Sequence, residues 1–234
     1  MSKGAQTRLN RTKNISHPTE YVNALLNECA DWAFNEEEAP AFKGLWREKV
    51  FKAKEDSFLN LEIGPGNGRH FSHLCQKHPE QKFLTVELKY KPLIQTVRRL
   101  KKQGLTNGRG LRYNAVLLDH LFKNLELNNI YIHFPDPWPK KRQRKHRLLA
   151  ESFAGKIYKL QRPGSFLEIK TDDQAYLLEA KHIFKKAGYV LRKYTQDLHQ
   201  DSKRDSAFFQ KLSQFELLFV KKNTPVGFLS LEKP

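Results

Sequence analysis

A glycine loop set between a strand and a helix constrains this chain most. Residues 58–63 (Phe-Leu-Asn-Leu-Glu-Ile) form a short apolar run that reads as a strand, and Gly64 ends it. Pro65, Gly66, Asn67 and Gly68 follow, and a helical pattern runs from Asn67 to His78, where Pro79 stops it. A strand that turns through glycines into a helix opens a βαβ unit, whose crossover feeds a parallel partner strand. The alternation then repeats. Strands are expected at Phe83–Leu88, Leu111–Ala115, Ile130–Phe134, Phe166–Lys170, Tyr189–Tyr194 and Phe215–Lys221, with helices at Lys91–Gln103, His146–Leu160 and Asp173–Ala187, the last stopped by Gly188. The pattern predicts an α/β fold with a doubly wound, mainly parallel seven-stranded sheet of Rossmann-like type. The polar loop 196–212 is long enough to be functional or disordered.

Residues 1–55 lack this alternation. Residues 1–20 are polar and basic, with Lys3, Arg8, Arg11 and Lys13, and read as a flexible arm that orders on a partner. Tyr21, Leu25, Leu26, Ala30 and Trp32 recur at near-helical spacing, so a helix is expected over 20–34, ended by Glu36–Glu38 and Pro40. The expected organisation is therefore an N-terminal basic arm and helical extension over 1–55, then the catalytic-type domain over 56–234.

The glycine spacing separates two kinds of nucleotide site. A dinucleotide fingerprint is G-x-G-x-x-G, whereas here the third glycine comes one residue early, at Gly68, and Arg69 stands where that glycine belongs. Glu62 sits just before the first glycine. It would repel a pyrophosphate and attract an ammonium. Both features point away from NAD and toward a cofactor with an amino-acid end such as S-adenosylmethionine; a purely structural tight turn is the alternative. Glu87 ends the second strand, where a carboxylate accepts from ribose hydroxyls in doubly wound sites or is simply an exposed strand-end acid. Asn114 ends the third strand and either bonds an adenine edge or forms a turn.

The fourth strand breaks at Pro135 and places Asp136 between two prolines, with Trp138 beside it. Lys140–Arg147 then holds six Lys or Arg and no acid. A carboxylate on a stiff turn, next to an aromatic face and a cationic loop, suits a planar polar group carried on a polyanion, such as a base in RNA; a stiff surface turn followed by a solvated charge run is the bland alternative. Asp172, after the fifth strand, lies on the same expected sheet edge, accepting from a base or capping the next helix. Ser213 and Glu216 open the last expected strand and could meet the same site.

Charge and cysteine usage bound the partners. Forty-two Lys and Arg against 25 Asp and Glu give +17, which favours a polyanion through counterion release. No run of 18 apolar residues marks a membrane span, and the first ten residues lack the apolar core of a secretory signal. Cys29 and Cys75 lie far apart without partners at metal spacing, so they read as free thiols in a reducing cytoplasm, with no metal site. No obligate protein partner is evident, and a monomer or homodimer is expected.

Four motifs together resemble one family. Leu61-Glu-Ile-Gly-x-Gly-x-Gly68, Phe134-Pro-Asp-Pro-Trp-x-Lys140, Thr171-Asp172-x-x-x-Tyr176 and Ser213-x-Phe-Glu216 occur in the order seen in the bacterial tRNA (guanine-N7)-methyltransferases, over roughly residues 57–221. The Pro-Asp-Pro-Trp element with its basic residues is the specific part. The resemblance implies a class I methyltransferase fold, S-adenosylmethionine as methyl donor, and methylation of a guanine in the tRNA variable loop. It implies cofactor contacts for Glu62, Gly64, Gly66, Gly68, Glu87, Asn114 and Asp136, with Asp136 also catalytic. Lys140, Asp172, Ser213, Gln214, Phe215 and Glu216 match the substrate positions. Two positions depart from the pattern: the third-strand residue, often acidic in the family, is Asn114, and the usual Thr of the last motif is Ser213, which keeps the hydroxyl. A methyltransferase acting on rRNA or another RNA, a nucleotide-dependent oxidoreductase and a non-catalytic RNA-binding protein are the rival readings.

Overall fold

The computed structural model describes residues 19–200 and 213–234. The expected flexible arm over 1–20, apart from Thr19 and Glu20, and most of the polar loop 196–212 lie outside the described residues. The chain forms two compact units, the first ending at Lys123 and the second beginning at Asn124.

In the first unit, helix α1 (Thr19–Leu26) precedes a two-residue strand β1 (Ala33–Phe34). Then come β2 (Leu59–Ile63), α2 (Arg69–Lys77), β3 (Lys82–Glu87), α3 (Tyr90–Lys102) and β4 (Gly108–Arg112). Every pairing is parallel, in the order β1-β4-β3-β2. The helix expected over 20–34 stops at Leu26, because the chain beyond it is drawn onto α3. Glu28 makes a two-pronged ion pair with Arg98 and accepts from Lys101 at its carbonyl. Ala24, Leu25, Cys29 and Ala33 bury against Leu93, Ile94 and Val97 of α3. This tertiary packing outweighs local helical spacing, and Ala33–Phe34 becomes an eighth strand beyond the seven expected. Glu36, expected only to end a helix, forms a buried ion pair with Arg112 of β4. Trp46 is fully buried and donates from its indole to the Leu121 carbonyl at 2.8 Å.

The second unit contains β5 (Ile130–His133), α4 (Glu151–Leu160), β6 (Phe166–Thr171), α5 (Gln174–Lys186), β7 (Val190–Thr195), α6 (Gln214–Lys221) and β8 (Gly227–Glu232). The order is β5-β6-β8-β7, with β5 and β6 parallel and β8 antiparallel to both neighbours. The strand expected at Phe215–Lys221 is a helix. Ser213 Oγ accepts from the Glu216 N–H at 3.2 Å while the Glu216 carboxylate receives the Ser213 N–H, a capping box that satisfies the first free donors of α6. The last strand lies instead at Gly227–Glu232 and is almost wholly buried between β6 and β7. At Gly227 a side chain would strike Leu177 at 2.6 Å, so glycine is what lets α5 approach β8. Among the described residues no helix is long and apolar enough to cross a membrane.

Candidate functional site

In the first unit the expected cofactor residues all sit at the C-terminal ends of neighbouring parallel strands, where open α/β sheets bind ligands. Glu62 is in β2, Glu87 ends β3 and Asn114 follows β4. The three loop glycines all have positive φ, 71°, 60° and 74° for Gly64, Gly66 and Gly68, yet their surroundings differ. A Cβ on Gly64 or Gly66 would meet nothing within 4 Å, which leaves open space in front of the loop. A Cβ on Gly68 would lie 2.7 Å from the Thr96 backbone, so this glycine serves helix packing. Helix α3 fixes the loop from behind: Thr96 Oγ1 donates to the Gly66 carbonyl at 3.3 Å and Arg99 Nε to the Asn67 carbonyl at 3.1 Å. Sequence reasoning missed both residues, because on an amphipathic helix they look like an ordinary polar position and one more surface cation.

Glu62 is 2 % exposed. Its Oε1 lies 3.2 Å from His70 Nδ1, and its Oε2 is buried without a hydrogen-bond partner among the described residues. A buried acceptor left open beside an open glycine loop calls for a donor from a ligand. Glu87 is half-buried, and its Oε1 accepts from the Lys89 N–H at 2.8 Å. Asn114 caps the short 3₁₀ turn Ala115–His120, accepting from the Val116 N–H at 3.0 Å. Its carbonyl is thereby committed, and its amide NH₂ is the group left for a ligand. The donor set therefore fits a cofactor with an ammonium and a ribose: acids at Glu62 and Glu87, an amide at Asn114 and two glycines open to close approach.

In the second unit, Asp136 is exposed on the turn after β5. Phe134 and Trp138 flank it with φ of 51° and 43°, a region that non-glycine residues adopt only under constraint. The constraints are visible. Phe134 donates its N–H to the Lys170 carbonyl at 2.7 Å, and its ring packs 5.3 Å from Phe219 and 6.1 Å from Phe215. Trp138 packs 5.5 Å from His146. Arg147 donates from Nε to the Pro137 carbonyl at 2.7 Å, pairs with Glu179 and lies 4.6 Å over the Tyr176 ring. Burial pushes the Tyr176 phenol up to about 12, and its oxygen accepts from the Leu149 N–H at 3.0 Å. Arg147 is thus the rear anchor of the turn and not one more surface cation. Lys140, Lys141, Arg142, Arg144 and Lys145 are exposed, and 141–146 form a 3₁₀ turn with no buried residue.

Asp172 is exposed at the end of β6 and does not cap α5; Asp173 does, accepting from the Tyr176 N–H at 2.9 Å. Ser213 caps α6, Gln214 is exposed and Phe215 is 52 % exposed. Glu216 is different. It is fully buried, with both carboxylate oxygens 3.2 Å from Lys170 Nζ and Oε1 3.1 Å from His199 Nε2. Burial would raise its pKa, but the contact with His199 and the Lys170 ammonium win, and the carboxyl lies below its ordinary value. Lys170 and His199 were missed as partners because nothing in their sequence spacing links them to Glu216.

Parallel strands joined by helices, a glycine loop after the second strand and acids at the strand ends define a class I methyltransferase. The 16S rRNA methyltransferase KamB shares this fold with a TM-score of 0.56 at 12 % identity, over 77 % of this chain and 90 % of that one. Residues 56–228 match the family described as "Putative methyltransferase". The chain is 40 % identical to a tRNA (guanine-N(7)-)-methyltransferase of Bdellovibrio bacteriovorus over 90 % of its own length and 99 % of the relative's. It is 31 % identical to the enzyme of that name from Clostridium acetobutylicum, covering 82 % and 87 % of the two chains. The chain belongs to the tRNA (guanine-N(7)-)-methyltransferase family.

Proposed function

We propose that this protein is a cytoplasmic enzyme that methylates N7 of a guanine in the tRNA variable loop, with S-adenosylmethionine as methyl donor. The observation that carries the reading is the exposed carboxylate of Asp136, held on a constrained turn beside an exposed cationic loop, in a chain 40 % identical to an enzyme of that name. Within this reading residues 56–234 form the methyltransferase domain and 1–55 an extension to it. The chain acts as a monomer or homodimer without an obligate protein partner.

The bound cofactor supplies an electrophilic methyl group on a sulfonium. Glu62 accepts from its ammonium, Glu87 from its ribose hydroxyls and Asn114 donates to its adenine, while Gly64 and Gly66 allow the backbone to approach closely. Guanine N7 carries an in-plane lone pair and no proton, so no general base is needed to create the nucleophile. The protein's task is positioning and electrostatics. Asp136 accepts from the guanine N1–H and N2–H edge and offsets the positive charge that develops on the ring. Lys140 and the exposed cations after it hold phosphates, and Asp172, Ser213, Gln214 and Phe215 face the RNA. Glu216 contributes through its ion pair with Lys170, which seats the N-terminus of α6. Incubation with labelled S-adenosylmethionine and bulk tRNA, followed by mapping of the labelled nucleotide, tests the reading. Label at N7 of a variable-loop guanine is expected; label at any other nucleotide alone, or none, overturns it.

A further inference from the structure

Behind the Asp136 turn lies a groove of about 440 Å³ between the segment 144–151, which leads into α4, and α5. Leu149 and Ile183 give it apolar walls, and Arg144, Arg147, Glu179 and His182 line it with polar groups. Its chemistry is mixed in a way that a phosphate site is not. In a chain of net charge +17 this groove still holds two acids: Glu179, which pairs with Arg147 through Oε2, and Glu151, which pairs with Lys186 through Oε1 at 2.9 Å, so each keeps its second oxygen as an acceptor. Carboxylates beside apolar walls accept hydrogen bonds from amino and imino groups on a flat ring. The neighbouring guanidinium of Arg144 is exposed within the cationic run and suits the phosphate attached to that ring. The volume lies within the range of small-ligand sites and accommodates one nucleotide.

We propose that this groove is a second nucleotide subsite, which takes the base of an RNA nucleotide flanking the target guanine. The inference rests on the RNA-methylating reading above. Arg147 links the two places: it lines the groove, pairs with Glu179 there and donates to the Pro137 carbonyl next to Asp136. A base seated against Glu179 and His182 steadies the same guanidinium that anchors the catalytic turn, so the groove favours RNA whose target guanine has an unpaired neighbour.

The test is a double cycle between protein and RNA. Each nucleotide flanking the target guanine is replaced in turn by an abasic ribose phosphate, which keeps the charge and removes the base. For the wild-type enzyme one such replacement should raise KM roughly tenfold, the size of one lost base contact. His182→Trp, which fills the groove, should raise KM on intact RNA by a similar factor and abolish the further effect of the abasic site. A second measurement uses the wild type alone: 5-iodouridine at the flanking position should crosslink to a peptide holding residues 144–151 or to α5. Independent, multiplicative effects of the two changes, no KM effect of the abasic sites, or crosslinks only elsewhere would each overturn the subsite. So would protection of the groove by free mononucleotides but not by tRNA. Wild-type enzyme that labels no tRNA refutes the functional reading itself, whereas normal labelling with an indifferent groove refutes only this inference.

Discussion

Replacing Glu216 by Gln separates a structural acid from one that reads RNA. The carboxylate is fully buried and both its oxygens are 3.2 Å from Lys170 Nζ, itself in a residue 1 % exposed. Gln keeps the shape and can still receive the Ser213 N–H, so most of the capping box, worth about 1 kcal/mol, survives. What remains is an ammonium buried without its counter-charge. Breaking one side of such a pair costs about 3–5 kcal/mol, and a loss of about 3 kcal/mol is expected here because His199 and the cap persist. Urea unfolding monitored by fluorescence measures it. Adding Lys170→Met to Glu216→Gln removes the stranded charge and should return stability to within about 1 kcal/mol of wild type. Methylation should follow stability: impaired in the single variant, substantially restored in the double. A single variant as stable as wild type refutes the buried-pair argument. A double variant that is stable but inactive would mean that Glu216 meets the RNA directly. The same carboxyl sets an acid limit. Its folded pKa lies below its ordinary value, so its contribution is fully present above about pH 4.3 and is lost as pH falls through the lower folded value.

Four further outcomes follow from the geometry. Asp136→Ala should lower kcat by at least about 100-fold while leaving S-adenosylmethionine affinity, read by calorimetry, within about threefold; near-normal turnover would remove Asp136 from catalysis. Gly68→Ala places a methyl 2.7 Å from the Thr96 backbone at φ 74° and should destabilise the protein by at least about 2 kcal/mol in thermal unfolding. Gly64→Ala meets open space, so beyond the strain of its φ of 71°, about 1 kcal/mol, it should mainly weaken cofactor binding, read by calorimetry. Reversing Lys140, Lys141 and Arg142 to Glu should raise KM for tRNA and flatten its dependence on salt, with each lost phosphate contact reducing the log–log slope by about 0.7–0.9; an unchanged slope would make the run a solvated face.

The βαβ alternation was legible because each unit writes a short apolar strand and an amphipathic helix in local sequence. The glycine loop and the Asp136 turn were legible because glycine and proline restrict the backbone wherever they occur. α6 reads as a strand from sequence because Leu217, Leu218, Phe219 and Val220 make a short unbroken apolar run beside Phe215, a pattern that does not distinguish the two structures. Its deciding signal, Ser213 three residues before Glu216, lies in the same four residues that match the substrate motif, so one pattern carries two meanings. Asp172 and Asp173 show a finer limit: adjacent acids look equal in sequence, and only the backbone makes one the cap and leaves the other exposed. Thr96, Arg99, Lys170 and Arg147 act through partners that are distant in sequence or hidden within a charge run, so no local pattern marks them.

The bond from Arg147 to the Pro137 carbonyl closes the basic segment into a loop pinned at its base. Closure entropy grows only logarithmically with loop length, so that doubling the residues between the pins adds about 0.6 kcal/mol. The turn that carries Asp136 is therefore insulated from changes in the length of the loop beyond it. Residues can be inserted or removed around Gln143, retuning which RNA backbones the loop can follow, without altering where the carboxylate stands.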